Sequence, residues 1–373
     1  MLKRIIEFSI DQRFLIVMLT VLMAGVGVHS TLRLPIDAVP DITNNQVQIN
    51  TFYPSLSPVE VEKEITFVLE TALAGFPGLQ YTRSLSRNGF SQVTAVFEEH
   101  VDIYFARQQL MERLAQVGDE LPPGAEPSLG PIATGLGEVY MWTLSYEHPG
   151  GEGAEINDGQ PGWQSNGSYL TPGGQVLEND LEFAAYLRTV QDWIIAPQLK
   201  GVENVAGVDA IGGYVKEYHV QPDPMRLVAY EFTFHDVIEA LRRNNVSTGA
   251  GFIEYQGEAL TVRSAGRIES LDEIRDIVVG TREGTPIHIH DVAEVSVGKE
   301  LRTGSASENG REVVVGTALM LIGANSRTVA MAVDERIGEI RKSLPPDIDL
   351  ETALDRSVLV DATVETIRNN LFE

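Results

Sequence analysis

The sequence has no cysteine, and it is poor in aromatic and basic residues. Of its 373 residues 7% are aromatic, and 28 Lys and Arg stand against 53 Asp and Glu, for a formal net charge of −25. Without cysteine there is no disulfide, thiolate metal site or cysteine nucleophile. Nucleic acid is excluded as a partner, because phosphate binding needs a basic face. The excess of acids attracts cations. A high net charge can also serve only to keep a protein soluble.

No motif of an enzyme is present. There is no P-loop, Gly135-Leu136-Gly137 lacks the third glycine of a dinucleotide site, and no G-x-S-x-G elbow occurs. We therefore expect no catalytic residues and no permanently bound cofactor. His288 and His290 fall on one face of a predicted strand and could bind a metal as a pair. Two histidines without a third ligand are more often a packed or solvated strand face.

Long hydrophobic runs are also scarce. Only Phe14 to Leu32, nineteen residues without formal charge, is long enough to cross a bilayer. Three cationic side chains precede this run and Arg33 alone follows closely, so we expect a cytoplasmic amino end and the bulk of the chain outside. A cleaved signal peptide is the alternative. We favour a retained anchor, because no small-x-small cleavage site follows the run.

The next hundred residues alternate strand and helix patterns. Strands are predicted at 47–52, 80–86 and 92–98, with helices at 59–74 and 102–121. This order predicts an α+β fold with a split βαβ, ferredoxin-like unit.

A related pattern then recurs. A strand at 139–146 and a helix at 182–199 precede GVENVAGVDAIGG, which echoes PGLQYTRSLSRNG after the earlier helix. Two similar subdomains in tandem are therefore predicted. Residues 147–180, rich in Gly, Asn, Ser and Pro, predict a solvated loop, and 214–279 reads as an insertion. A last helix from Asp361 has no Gly or Pro stop signal, which suggests that the protein continues.

Long motifs in fixed order add a family resemblance. They include RLPIDAVPDITNNQVQINTFYP, YTRSLSRNGFSQVTAVFE, LPPGAEPSLGPIATGLGEVY, IGGYVKEYHVQPDP, NNVSTGAGFIE and ENGREVVVGTALMLIGANSRTV. With them the chain resembles the N-terminal portion of the CzcA/CusA family of heavy-metal efflux transporters, of the resistance–nodulation–division (RND) type. The resemblance implies an amphipathic segment and transmembrane helix (1–35), a first porter subdomain (36–132), a second one in two parts (133–211 and 280–345), an inserted α+β docking domain (212–279) and the start of a connection to the next transmembrane helix (346–373).

The resemblance also implies a function. Such transporters export metal cations from the bacterial inner membrane by proton antiport, as homotrimers joined to a periplasmic adaptor and an outer-membrane channel. The proton-relay acids would lie in membrane helices outside this chain. A docking arm that reaches the neighbouring protomer would include Asn244, Asn245, Gly249 and Gly251, where an ordinary hairpin explains the glycines equally well.

Two acids are candidate ligands for a transported divalent cation. Glu138 stands where copper-type relatives tend to carry an aromatic residue, which favours zinc, cobalt or cadmium over copper or silver. Asp192 is the second candidate. Each has a plainer explanation, Glu138 as an exposed acid at a strand start and Asp192 as a complement to a helix dipole.

Two other functions stay open at this point. One is a membrane-anchored periplasmic binding or scaffold module without transport activity. The other is an RND exporter of organic solutes, whose cleft should be aromatic and apolar.

Overall fold

The computed structural model describes residues 10–32, 43–54, 56–246, 248–255, 258–264, 266–268, 270–300, 302 and 304–372. Its first element is the helix α1 (Arg13–Leu32), whose apolar side chains Phe14, Leu22 and Met23 are exposed. Within the described ranges, no helix is long and apolar enough to cross a membrane, so the predicted transmembrane helix is not confirmed. The part of the predicted amphipathic segment before residue 10 lies outside the described residues.

The first sheet carries two helical segments on one face. Its elements in chain order are β1 (Gln46–Phe52), α2 (Pro58–Val61), α3 (Phe67–Leu73), β2 (Leu79–Arg87), β3 (Phe90–Phe97), α4 (Ile103–Val117) and β4 (Glu126–Leu129). The four strands are antiparallel in the order β2-β3-β1-β4, the order of a split βαβ unit. Every second residue of β1 is buried, and the apolar stripe of α4 (Ala106, Leu110, Leu114) covers the same core.

The second sheet repeats this order. Its elements are β5 (Glu138–Tyr146), α5 (Asp180–Val190), α6 (Ala196–Lys200), β9 (Val205–Ile211), β16 (Ala306–Glu308), β17 (Arg311–Met320), α11 (Ser326–Arg341) and β18 (Ile348–Asp355). The strands β9, β17, β5 and β18 stand in the order that β2, β3, β1 and β4 have in the first sheet, and β16 adds a short hairpin partner to β17. The tandem of two similar α+β units is therefore present.

The first helix of each unit is interrupted in the same way. Five π-helical residues, Glu62–Thr66, separate α2 from α3, and five more, Gln191–Ile195, separate α5 from α6. Such a widened turn is rare and follows from one extra residue in an α-helix.

A third compact unit is inserted between β9 and β16. It contains β10 (Lys216–Pro222), α7 (Pro224–Tyr230), α8 (Phe234–Asn244), β11 (Thr248–Tyr255), β12 (Glu258–Ser264), α9 (Leu271–Arg275), β13 (Val278–Arg282), β14 (Thr285–His288), α10 (Ile289–Val292) and β15 (Ala293–Lys299). The family resemblance implies that residues 280–345 belong to the second porter subdomain. In the structure β15 pairs with β10, and Ile287, Ile289 and Val295 share a core with Leu227 and Val237, so the part of this range up to Lys299 packs with the insertion.

Residues 147–180 differ from the predicted solvated loop. Three two-residue strands, β6 (Gly162–Trp163), β7 (Tyr169–Leu170) and β8 (Val176–Leu177), form a small antiparallel sheet. Trp163 and Tyr169 are almost fully buried and join the core of the second unit. The polar composition of the segment predicted a solvated loop, although these two aromatic side chains pack into the core. The last described element is α12 (Arg356–Phe372), where a helix was predicted.

Candidate functional site

An acidic groove lies along one end of the second sheet. It has a volume of about 690 Å³, and among the described residues that line it there are six carboxylate side chains and one cationic side chain, that of Arg311. The carboxylates are those of Glu147, Asp180, Glu308, Glu312, Asp349 and Glu351. A concave surface of one sign raises the local concentration of counter-ions, so this groove attracts cations.

Strand pairing brings these acids together from distant parts of the chain. Asp349 lies opposite Ser145 in the β18–β5 ladder, and Glu308 closes the β16–β17 hairpin opposite Arg311. Asn309 and Gly310 form the hairpin turn with φ of 51° and 78°. Such a turn needs positive φ at both central residues, which Asn-Gly tolerates. This dipeptide is a local sequence signal for the hairpin, whereas none of the six acids was predicted as a ligand from the sequence.

Fixed partners hold two groups at the groove wall. Arg302 donates from Nη2 to Oε1 of Glu312 at 2.5 Å, so that carboxylate is partly neutralised. Burial raises the pKa of Tyr146 above its usual range, and the neutral hydroxyl donates to the carbonyl oxygen of Phe183 at 3.3 Å. The groove therefore has the buried ring of Tyr146 in its wall and carboxylates around it, an arrangement that attracts cations.

Glu138 lies at the opposite end of β5 from this groove. It is the first residue of the strand, it is exposed, and its ladder partner is Leu319. That position fits the plainer explanation of an acid at a strand start.

Asp192 is already paired. Its Oδ2 accepts from Nε of Arg188 at 2.8 Å, and Nη1 of the same arginine donates to the carbonyl oxygen of Gly212. Asp192 sits in the π-helical segment within the long helical stretch rather than at a helix start, so the dipole explanation does not apply. Neither Glu138 nor Asp192 belongs to a group of three ligand-type side chains among the described residues.

The two predicted histidines meet, although not on one strand face. His288 ends β14 and His290 follows in α10, and their rings stack with centroids 5.2 Å apart. Each Nδ1 lies within 2.9 Å of a backbone carbonyl oxygen, that of Asp276 for His288 and that of Arg275 for His290. Carbonyls only accept, so each Nδ1 carries the proton. The pair has no third ligand among the described residues.

The residues of the predicted docking arm form a helix end and a hairpin. Asn244 ends α8 and donates to the carbonyl oxygen of Ala240, while Oδ1 of Asn245 accepts from the backbone N–H of Ile268 at 3.3 Å. Gly249 and Gly251 lie in β11, which pairs with β12 and shifts register between Gly249 and Phe252. A role in trimer contacts stays a prediction.

The fold is a tandem of two similar α+β units with a third unit inserted, and comparison with known proteins identifies its family. The sequence profile of the AcrB/AcrD/AcrF family matches residues 5–373, so the chain belongs to this family. The chain is 52% identical to the nickel-cobalt-cadmium resistance protein NccA of Alcaligenes xylosoxydans xylosoxydans over 373 residues, which are 100% of this chain and 35% of that protein. It is 47% identical to the cobalt-zinc-cadmium resistance protein CzcA of Cupriavidus metallidurans, again over 100% of this chain and 33% of the relative.

A solved structure has the same architecture. The crystal structure of a heavy metal efflux pump matches with a TM-score of 0.81 and 28% identity, over 99% of this chain and 34% of that one. The resemblance inferred from the motifs is thus confirmed. The chain spans about a third of the length of the relatives that it matches.

Proposed function

We propose that this chain is the cation-handling, periplasmic part of an inner-membrane exporter of heavy-metal cations. The observation that carries the proposal is the similarity along the whole chain to metal resistance proteins, 52% and 47% identical, one of them named for nickel, cobalt and cadmium and the other for cobalt, zinc and cadmium. The acidic groove supplies the chemistry, because carboxylates attract divalent cations.

The favoured substrates are divalent cations of the nickel, cobalt, zinc and cadmium group rather than copper or silver. Carboxylate oxygen is a poor ligand for soft Cu⁺, which selects thiolate and thioether sulfur. The described residues that line the groove include six carboxylates and no Met, and the sequence has no Cys. Proton antiport, with relay acids outside this chain, is the energy source that the family resemblance implies.

The domain arrangement is part of the same proposal. We place the first porter subdomain at 36–132 and the second at 133–211 with the chain after the insertion. The docking insertion begins near 212 and extends to Lys299, because β15 pairs with β10 along its length. A homotrimer, a periplasmic adaptor and an outer-membrane channel are the partners that this arrangement would need.

We also propose that residues 14–32 anchor the chain in the inner membrane with the amino end in the cytoplasm. Support comes from the uncharged run, the cations before it and the exposed apolar side chains of α1. Alkaline carbonate extraction of membranes that carry the chain tests this. Release of the chain into the soluble fraction would contradict it.

A chimera tests the export function. The corresponding third of NccA is replaced by this chain and expressed in a host that lacks its own nickel and cobalt exporters. We expect restored nickel and cobalt tolerance without added copper or silver tolerance. In the same chimera Asp349→Asn with Glu351→Gln should lower tolerance, because two of the six groove acids are lost. Glu120→Gln, an exposed acid outside the groove, is the matched control.

Two results would contradict the proposal. If the chimera reaches the membrane and confers no metal tolerance, the chain is a binding or scaffold module. If it confers tolerance to dyes or detergents instead of metals, the substrate class is organic.

A further inference from the structure

A second cluster of ligand-type side chains lies where the 147–180 segment leaves the sheet. Glu147 and His148 directly follow β5, and Asp347 directly precedes β18, the strand that pairs with β5. The backbone N–H of Glu147 donates to the carbonyl oxygen of Asp347 at 3.0 Å, which extends the ladder by one step. His148 and Asp347, 199 residues apart in sequence, are therefore held together by the end of the β5–β18 ladder rather than by a loop.

Outer contacts fix the carboxylate of Asp347. Its Oδ2 accepts from Nε1 of the buried Trp163 at 2.6 Å and from the backbone N–H of His148 at 3.1 Å. This leaves Oδ1, which faces Nδ1 of His148 at 2.5 Å. Metal ligands are commonly oriented in this way by a second set of hydrogen bonds.

The distance between Nδ1 of His148 and Oδ1 of Asp347 allows a metal ion to replace the proton of their hydrogen bond. Two ligand atoms about 2.1 Å from one ion, at tetrahedral or octahedral angles, are about 3.0–3.4 Å apart. Nδ1 and Oδ1 therefore need to separate by less than ~1 Å. One carboxylate oxygen of Glu147 lies within 4.8 Å of a ring nitrogen of His148 and of a carboxylate oxygen of Asp347, and this side chain is exposed, so it has room to rotate toward the ion. Water would complete the coordination.

The ligand types define the class of ion. One imidazole nitrogen with two carboxylate oxygens suits zinc, nickel and cobalt, whereas magnesium prefers oxygen ligands alone. Glu147 also lines the acidic groove, so cations concentrated there reach this cluster directly.

We propose that Glu147, His148 and Asp347 form a binding site for one borderline divalent cation such as Co²⁺, Ni²⁺ or Zn²⁺. The site is built into the edge of the second unit and does not depend on transport by the whole protein. A competing explanation is a metal-free latch, in which the His148–Asp347 pair only fastens the small sheet of residues 162–177 through Trp163. In a latch Glu147 has no function.

Titration of the purified full chain with CoCl₂ in the presence of excess MgCl₂ distinguishes the two. Binding is followed by calorimetry and by the visible absorption of Co²⁺. We expect one tight site in the wild type, and a loss of affinity on the order of tenfold or more in Glu147→Gln. His148→Ala should abolish the site. His219→Ala is the control, because His219 forms a similar pair with Glu217 at 3.0 Å but lacks a third ligand among the described residues.

Two outcomes overturn the proposal. Wild-type affinity in both Glu147→Gln and His148→Ala places any bound cobalt elsewhere. Wild-type affinity in Glu147→Gln, together with altered tryptophan emission in His148→Ala before cobalt is added, identifies a structural latch. Neither result changes the metal tolerance that the chimera confers. Failure of this binding site is therefore distinguishable from failure of the proposed export function.

Discussion

Gly316 is the position where a single methyl group should damage the second unit most clearly. It lies in the middle of β17, opposite Trp142 in the ladder, and the indole ring covers it. A Cβ on Gly316 would lie 2.5 Å from Nε1 of Trp142 and nearer still to two ring carbons. The ring has no room to move, because it is fully buried and donates from Nε1 to Oε1 of Gln191 at 2.8 Å.

The expected cost follows from this overlap. Ordinary carbon contacts begin near 3.4 Å, so strand or ring must shift by about 1 Å, and overpacking of this kind costs typically ~1–3 kcal/mol. We expect Gly316→Ala to lower the free energy of unfolding by about 3 kcal/mol, at the upper end of that range. Gly338→Ala is the matched control, because Gly338 lies in α11 with nothing near its added Cβ. A helical Gly→Ala change should stabilise by about 0.5–1 kcal/mol.

Urea unfolding followed by tryptophan fluorescence measures this. Of the chain's three tryptophans, Trp142 and Trp163 lie in the core of the second unit and Trp193 on its first helical stretch, so the signal reports this unit. In a Trp142→Leu background, Gly316→Ala should cost less than about 1 kcal/mol, because the obstructing ring is gone. An undiminished cost in that background, or equal stabilities of Gly316→Ala and Gly338→Ala, would refute the reasoning.

Two further predictions concern a helix cap and alkaline pH. Asp102→Ala removes the side chain that accepts from the backbone N–H of Phe105 at 2.8 Å and should cost about 1 kcal/mol. Faster hydrogen exchange at the start of α4 would show it, and unchanged exchange there would contradict it. Burial raises the pKa of Tyr146 and Tyr169, and it raises the pKa of Tyr186 to about 12. An unfolded tyrosine titrates near pH 10, so these three neutral tyrosines contribute fully to the free energy of unfolding below about pH 10. This contribution is lost as the pH rises from there toward the raised pKa values of the folded state. Tyrosinate absorbance should therefore rise together with loss of the native tryptophan emission, whereas ionisation of all tyrosines near pH 10 in a folded chain would contradict this.

The sequence predicted those parts of the fold that local patterns determine. The alternation in β1 and the four-residue spacing in α4 are visible without a structure, and the chain order of strands and helices is typical of a split βαβ unit. The extent of the insertion was not visible, because β15 has the same pattern whichever strand it pairs with. Residues 147–180 were misjudged because their composition is polar, although Trp163 and Tyr169 hold them in the core.

The candidate sites were harder to predict, because their members are distant in sequence. Glu138 was chosen because copper-type relatives tend to carry an aromatic residue at that place, and Asp192 was a second acidic candidate. The structure puts Glu138 at a strand start and Asp192 beside Arg188. His148 and Asp347 meet only because β5 pairs with β18. No local pattern records that ladder, so the cluster could be found only once the pairing was known.

The π-helical interruptions bear on how this architecture arose. An extra residue in a helix is uncommon, and here it recurs in the first helix of both tandem units, between the same two strands of the same sheet order. This recurrence is expected if one ancestral gene segment, whose first helix already carried the extra residue, was duplicated. The π-helical turn would then persist in both units even after their sequences had diverged. The two tandem units are then homologous, and equivalent residues in the two units can be aligned by starting from their π-helical turns.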